Sequence, residues 1–209
     1  MKIKMNQTHS IKRPGRWLAL LLLFCSASLP ASDYVIDTED AHAFIQFKIS
    51  HLGYSWLLGS FRRFEGSFSY DEKHPETAKV EVVIDTDSLD TNHAERDKHL
   101  RSDSYLNVEK YPQARFVSTA YQENRDGSGK LQGNLTLHGV TRPITIDVRH
   151  VGDGPDPWGG YRRGFEGHTK LVLEDFGMDF TLGSAAKAVQ LDLYVEGIRQ
   201  ESNTRRQKR

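Results

Sequence analysis

The chain has 209 residues, with 28 basic and 28 acidic side chains and one cysteine, Cys25. The charge is unevenly distributed, because residues 33–198 carry 18 basic and 27 acidic side chains, a net charge of −9. An acidic body argues against nucleic acid as the main partner, and its length suits one domain with a sizeable core.

Residues 1–31 have the pattern of a secretory signal peptide. Basic residues precede the short apolar run WLALLLLFC (17–25), and the segment SASLPA follows it. The run is shorter than the roughly 20 apolar residues of a membrane-spanning helix, and Phe24 stands where a lipoprotein signal has a small residue. We expect cleavage near Ala31, export to the periplasm, no stable membrane insertion, and a mature chain without disulfides.

After this leader, the chain consists of alternating runs typical of β-strands. The stretch 41–71 contains two of them, joined by an aromatic, glycine-rich corner, HLGYSWLLGSF (51–61). In each strand successive side chains point to opposite faces, which gives one apolar and one polar wall. Six further runs are separated by turn sequences, so we expect eight strands. These runs lie near 80–85, 115–120, 131–137, 144–149, 165–173 and 189–196.

Eight antiparallel strands of this kind form either a sandwich or a closed barrel. Closure removes exposed edges, and an eight-stranded barrel is filled by side chains or holds one ligand. Gly66, Gly133 and Gly167 lie at inward positions and fit either bends in the wall or space for a ligand. The alternation of apolar and polar positions along the strands, which we call parity, predicts that Lys48, Asp147 and Asp192 face outward. It predicts an interior lined by Ile45, Phe47, Phe68, Val82, Leu135, Ile146, Leu171 and Leu193.

Residues 88–111 depart from the strand pattern, because they are polar and rich in helix formers. Thr91 or Asn92 can cap a helix, with Glu95 completing a capping box. We therefore expect a short helix over one end of the barrel. At the corner, more aromatic side chains occur than a core needs, which favours a cavity for a large apolar ligand. We expect Tyr54 and Trp56 to line or gate one end of that cavity.

No motif in the sequence indicates catalysis or a metal centre. His93 and His99 are off a common helical face, and Glu95 with His99 supplies only two ligands. The tripeptide DFG (175–177) lacks the other kinase motifs, and GSGK (127–130) precedes leucine, which favours a hairpin turn over a phosphate loop. We therefore predict no metal, no cofactor and no catalytic residue.

Five strings occur in order along the chain: HLGYSW (51–56), TNHAERDKHLRS (91–102), KYPQARF (110–116), LTLHGVTRPI (135–144) and DPWGG (156–160). Together they resemble the YceI-like family of exported bacterial proteins, over residues 33–198. The resemblance implies an elongated antiparallel barrel, similar to lipocalins in shape, whose bore holds a polyisoprenoid chain. It implies no established catalysis.

We therefore hypothesise that residues 32–198 bind, carry or store a polyisoprenoid, either an isoprenoid quinone or a polyprenyl lipid, by burying its chain in the bore. The alternatives are a barrel enzyme acting on a small apolar substrate and a ligand-free stress or interaction protein. Residues 199–209 are expected to form a basic, disordered tail, and no oligomeric state is predicted.

The expected ligand-binding residues combine the aromatic corner, the inward faces of the strands and polar groups for the head of the ligand. We expect the head to meet His51, Tyr54, Arg101 and Trp158. The full set is Ile45, Phe47, Ile49, His51, Tyr54, Trp56, Phe64, Phe68, Arg101, Trp158 and Phe165.

Overall fold

The computed structural model describes residues 31–179 and 186–201, which form eleven strands and one α-helix. The predicted signal peptide, apart from Ala31, lies outside the described residues. All strand pairings are antiparallel. The strands are β1 (Ser32–Ile36), β2 (Phe44–His51), β3 (Ser55–Phe61), β4 (Phe64–Tyr70), β5 (Lys79–Asp85), β6 (Leu89–Asp90), β7 (Gln113–Glu123), β8 (Ser128–Leu137), β9 (Val140–Pro155), β10 (Tyr161–Val172) and β11 (Ala188–Arg199), and the helix is α1 (Ala94–Arg101).

Eight of the strands form a closed barrel, in the order β1, β4, β5, β7, β8, β9, β10 and β11, and pairing of β1 with β11 closes it. The structure therefore decides between the sandwich and the barrel. The closing strand, β1, was not predicted, because its sequence SDYVI is short and lies beside the expected cleavage site. Its partners are far along the chain, and local periodicity carries no information about them.

The other three strands, β2, β3 and β6, continue the wall at one end. The C-terminal part of β11 pairs with β1, and its N-terminal part pairs with β2. The prediction of a corner over residues 51–61 is wrong, because most of it is strand β3, hydrogen-bonded to β2. Gly59 does not bend the chain there. It lies opposite Phe47, and a Cβ at Gly59 would be 2.3 Å from Cζ of the Phe47 ring.

The predicted alternation of inward and outward side chains is confirmed. Lys48 and Asp192 lie outside, with 3.9 Å between Nζ and Oδ2, and Asp147 forms an outer ion pair with Lys130 at 2.6 Å. The inward set is either buried or lines the interior: Ile45, Phe47, Phe68, Val82, Leu135, Ile146, Leu171 and Leu193.

The inward glycines make room for the protein's own side chains. A Cβ at Gly133 would lie 2.4 Å from Cζ of Phe116. At Gly66 it would lie 2.8 Å from Cδ1 of Ile36, and at Gly167 it would lie 3.0 Å from Cγ2 of Ile146. The space above these glycines is therefore occupied by neighbouring side chains. The glycines mark neither bends in the wall nor space for a ligand, the two possibilities that the sequence offered.

Helix α1 lies at the end of the barrel where β2, β3 and β6 extend the wall, which we call the helix end. Its N-cap is His93, whose Nδ1 accepts from the backbone N–H of Arg96 at 3.2 Å. The predicted caps, Thr91 and Asn92, are wrong. Thr91 is buried and donates its backbone N–H to Oδ1 of Asp97 at 2.9 Å, which ties the preceding loop to the helix.

The C-terminal boundary lies beyond the predicted one. Arg199 is the last residue of β11 and pairs with Tyr34, so it belongs to the barrel wall rather than to a tail. The remaining predicted tail from residue 202 onward lies outside the described residues. Within the described ranges, no helix combines the length and apolarity needed to span a membrane.

Candidate functional site

The interior of the barrel contains two adjoining apolar chambers. The outer chamber, at the helix end, has a volume of about 400 Å³, and the inner chamber has a volume of about 150 Å³. Ile45, Ile84, Leu135 and Leu191 line both. The chambers therefore follow one another along the bore, and a long chain can extend from one into the other.

The outer chamber is built by the inward faces of β2 and β3 and by the helix. Phe47 and Ile49 of β2 face Leu57 and Phe61 of β3, and Leu100 of α1 contributes from above. The alternation along the two strands places these side chains on one face. Further walls come from Leu89, Leu106, Ala114, Leu137, Leu171, Leu173, Met178 and Val189.

Polar groups gather where the outer chamber reaches the surface beside His51, Arg96 and His99, which we call the mouth. The Arg96 guanidinium is held in place by two hydrogen bonds that it donates to Thr91. Nε donates to the Thr91 hydroxyl and Nη2 donates to the Thr91 carbonyl oxygen, each at 2.7 Å. The His99 ring packs edge-on against Tyr105, with 4.7 Å between centroids, and His51 stands at the end of β2. Sequence reasoning missed Arg96, and it considered His99 only as a potential metal ligand and rejected it; His99 is exposed, as a surface histidine is, and also borders the chamber. Their spacing with Leu100 places all three on one side of α1, which was the available signal.

The inner chamber is lined by aromatic and aliphatic side chains. Phe68 stacks on Tyr34 with 4.7 Å between ring centroids and meets the edge of Phe165 at 5.6 Å. Such aromatic pairs hold the rings in fixed positions. The other walls include Ile36, Phe64, Tyr70, Val80, Val82, Phe116, Tyr121, Leu131, Ile144, Ile146, Val148, Leu193 and Val195.

A buried polar cluster lies beyond the inner chamber, at what we call the closed end. Arg163 is only 4% exposed, and its guanidinium carbon lies 4.2 Å above the Tyr70 ring. Its Nη2 donates to Glu72 at 2.7 Å and lies 3.2 Å from Oδ1 of Asp153. The cation is therefore paired and stacked. Arg163 precedes Phe165 by two residues in β10, and this shared parity was an unused signal that it points inward.

Two tyrosines near this cluster are held in the neutral form. Burial raises the pKa of Tyr70 above its ordinary value, and its hydroxyl donates to Glu123 at 2.6 Å. Burial, with the nearby charge of Glu123, raises the pKa of Tyr121 to about 12. The Tyr121 hydroxyl has no hydrogen-bond partner among the described residues. The closed end thus presents neutral phenols and a compensated cation.

Seven of the eleven predicted ligand-binding residues line the chambers. They are Ile45, Phe47, Ile49, His51, Phe64, Phe68 and Phe165. The other four lie elsewhere. Arg101 donates to the carbonyl oxygen of Leu89 and lies 3.4 Å from Asp87, so it ties α1 to the wall.

The aromatic residues expected at the mouth face outward. Trp56 is 55% exposed and Tyr54 87%, because they have the parity opposite to Leu57 in β3 and its turn. The expectation that they line the bore is therefore corrected. Trp158 is 76% exposed in the β9–β10 turn, with 5.2 Å from its ring to the Arg162 guanidinium. That turn lies at the opposite end from α1, since β9 begins beside Leu137 at the helix end.

One cluster of potential metal ligands occurs among the described residues, formed by buried Asp37, exposed His42 and half-buried Glu196. The sequence does not reveal it, because Glu196 of β11 meets Asp37 and His42 of the β1–β2 connection only in the folded chain. Arg162 donates to both carboxylates, and the Asp37 interactions hold its pKa above the ordinary value. Burial raises the pKa of Asp37, but hydrogen bonds from His42 and Arg162 outweigh that effect and lower it. A metal ion would have to displace this guanidinium.

Comparisons with known proteins agree with this architecture. A solved structure of the Campylobacter jejuni YceI protein superposes with a TM-score of 0.65 at 29% identity, covering 74% of this chain and 91% of that chain. A polyisoprenoid binding domain from Saccharophagus degradans, implicated in plant cell wall breakdown, superposes with a TM-score of 0.59 at 16% identity, covering 80% and 98%. The second likeness concerns the fold alone.

The sequence comparisons extend over nearly the whole barrel. A UPF0312 protein of Pseudomonas aeruginosa (strain LESB58) is 58% identical over 178 residues, which are 85% of this chain and 93% of the relative. Residues 34–197 match the model of the YceI-like domain. The protein therefore belongs to the YceI-like family.

Proposed function

We propose that the protein binds one polyisoprenoid molecule, a polyprenyl lipid or an isoprenoid quinone, and carries or stores it in the periplasm. The observation that carries this proposal is the pair of adjoining apolar chambers, which together form an elongated site. The fold likeness to a polyisoprenoid binding domain supports it. The leader-like sequence of residues 1–31 supports export.

The affinity comes mainly from desolvation of the chain. Each buried CH₂ group contributes about 0.8 kcal/mol, so several isoprene units bind tightly without a polar contact. The chain enters at the helix end, where the chamber reaches the exposed residues His51 and His99. The cluster around Arg163 stops it at the other end, so the head of the ligand stays at the mouth.

The groups at the mouth set the preferred head chemistry. Arg96 is positively charged and held in place by Thr91, and His51 and His99 offer ring nitrogens. Donors and a fixed cation suit an acceptor-rich head, such as a quinone carbonyl or a phosphate. A hydroxyl head without charge gains less from this arrangement.

The alternatives receive less support. A ligand-free protein would fill its bore with side chains, and the two chambers count against that reading. A barrel enzyme needs a nucleophile beside a base, or a pair of acid–base groups, facing the substrate. The chamber walls are overwhelmingly aliphatic and aromatic, so no observation on the described residues favours catalysis.

Native mass spectrometry of the protein purified from a periplasmic extract tests the proposal. The expected result is a one-to-one complex whose added mass matches a polyisoprenoid, with the released lipid chemically unchanged. Lipid extraction and ultraviolet absorbance then distinguish a quinone from a polyprenyl phosphate. A protein that carries no lipid and fails to retain an added polyprenol would contradict the proposal, and a released product of altered mass would favour the enzyme.

A further inference from the structure

The β2–β3 hairpin carries an exposed apolar surface on its outer face. Ten large apolar side chains are exposed among the described residues, and five of them lie between residues 44 and 58. We call the group formed by Leu52, Tyr54, Trp56 and Leu58 the hairpin patch. Tyr54 is the most exposed at 87%, and Leu58 is 65% exposed. Scattered apolar residues need no explanation, but a cluster of this kind marks an interaction surface.

The tip of the hairpin departs from the usual chemistry of a turn in water. Leu52 and Gly53 both have positive φ, 54° and 82°, and the N–H of Tyr54 donates to the carbonyl oxygen of His51 at 3.0 Å. Asn-Gly is the common choice for such a turn, and leucine is disfavoured at positive φ. An exposed leucine in a left-handed conformation is an outlier of the kind that occurs at functional sites.

The position of the hairpin patch connects it to the bore. The same two strands present Phe47, Ile49 and Leu57 to the outer chamber on their inner face. The pleat therefore places the patch directly outside the mouth. Cationic groups lie beside it, since Lys48 Nζ is 5.7 Å from the centre of the Trp56 ring, and Arg62 and Arg96 line the groove next to Trp56. Lys48 also pairs with Asp192, and Arg62 pairs with Asp90 in the same groove, so Arg96 is the cation of this group without a carboxylate partner among the ion pairs of the described residues.

We propose that the hairpin patch docks reversibly on the surface of a phospholipid bilayer, so that the mouth of the bore faces the leaflet. This inference rests on the proposed function, because docking serves the exchange of an apolar chain. Tryptophan and tyrosine favour the interface between headgroups and acyl chains, and an apolar tip inserts at that depth. The neighbouring cations complement anionic headgroups.

Docking at this place removes a barrier to exchange. An isoprenoid chain that crosses water exposes all of its apolar surface, which is costly in proportion to that area. With the patch inserted, the chain passes from the acyl region into the outer chamber along the inner face of the same hairpin. The aromatic side chains at residues 54 and 56 therefore assist loading from outside the bore.

Tryptophan fluorescence tests the site directly, because Trp56 and Trp158 are the two tryptophans of the chain after residue 31 and lie at opposite ends of the barrel. Trp158→Phe leaves Trp56 as the reporter. Trp56→Phe leaves Trp158 as the control at the other end of the barrel, where it is 76% exposed against 55% for Trp56. With vesicles of phosphatidylethanolamine and phosphatidylglycerol, the emission of Trp56 should shift to shorter wavelength and resist quenching by iodide. A shift of Trp158 alone, of both residues, or of neither overturns the proposal.

Vesicle flotation measures the contribution of the patch. The double variant Tyr54→Ser/Leu58→Ser should partition at least about tenfold more weakly than the wild type, since it removes two apolar side chains from the contact. Val151→Ser/Trp158→Ser, which removes two exposed apolar side chains at the other end, should float like the wild type. Equal flotation of the two double variants contradicts the proposal. The proposal is also wrong if the wild type is a dimer that does not bind vesicles and the Tyr54→Ser/Leu58→Ser variant is a monomer, because the patch would then be a dimer interface.

Lipid retention separates this inference from the proposed function. The Tyr54→Ser/Leu58→Ser variant should keep a polyprenol loaded in detergent, because neither side chain lines a chamber. A wild type that retains polyprenol but never floats refutes docking and leaves the binding function intact. A wild type that floats but never retains polyprenol refutes the binding function and leaves docking intact.

Discussion

A single substitution should divide the bore between its two chambers. Leu191 lies in β11 and lines both. In the variant Leu191→Trp, the larger indole projects into the passage between them. Overpacking a tight core costs about 1–3 kcal/mol of folding stability. Leu191 is only half-buried and faces open space, so we expect a loss near the lower limit of that range.

The effect on affinity follows from the volume of the inner chamber. A dry apolar cavity of about 150 Å³ accepts a ligand of the size of benzene, and the inner chamber has this volume. It therefore accommodates about one five-carbon isoprene unit. At about 0.8 kcal/mol per buried carbon group, exclusion of that unit weakens binding by about 4 kcal/mol, or roughly a thousandfold in Kd.

Binding of polyprenols of two lengths measures this effect. A long polyprenol should bind Leu191→Trp roughly a thousandfold more weakly than it binds the wild type, whereas a short one that fits the outer chamber should bind both equally. Gln190→Trp is the matched control, because Gln190 is the adjacent residue of β11 on the outer face, opposite Lys48. Unchanged affinity of Leu191→Trp for the long polyprenol would show that the ligand does not extend through both chambers.

Three further predictions concern stability, measured by urea unfolding. Gly133→Ala should lower stability by about 1–3 kcal/mol, because its Cβ would meet Phe116 at 2.4 Å, whereas Gly152→Ala, with no atom within 4 Å of the new Cβ, should not. Tyr34→Ala should lower stability by about 3 kcal/mol or more through loss of a buried stacked ring in the closing strand. The pKa of Tyr121 is raised from 10.0 to about 12, so its contribution is complete below pH 10 and is lost as the pH rises toward 12. Tyr121→Phe should therefore lose less stability than the wild type over that interval.

The alternation of strands could be predicted from the sequence because it is a local property. Because side chains alternate along a strand with a period of two, the sequence already places Phe47 on the inner face and Lys48 on the outer face. Closure of the barrel could not be predicted from the sequence. It depends on β1, which pairs with β4 and β11, and the five residues of β1 carry little pattern of their own. The same limit applies to β3. Gly59 looks like a bend in isolation, and only the ring of Phe47 across the ladder explains it.

The site was predictable to a similar extent. Seven of the eleven predicted ligand-binding residues line the chambers, and they are the ones that inward parity indicated, from Ile45 to Phe165. Arg163 has the same parity, but a cation inside a barrel is acceptable only because Glu72 reaches it from the turn after β4 and Asp153 reaches it from β9. That compensation is a long-range property, and the sequence pattern does not contain it.

The surplus of aromatic residues at 51–61 has a physical explanation in the pleat. Sequence reasoning assigned all of them to the bore, because a core alone does not need so many. In the structure the pleat divides them, since Phe61 faces the outer chamber while Tyr54 and Trp56 face outward. A barrel strand in water normally has a polar outer face. Here the outer face of β3 is apolar at Trp56 and Leu58, although β2 presents Lys48 on the same face of the hairpin. This departure lies beside the mouth of the bore, which fits the proposed docking of the hairpin patch on a bilayer that supplies the ligand.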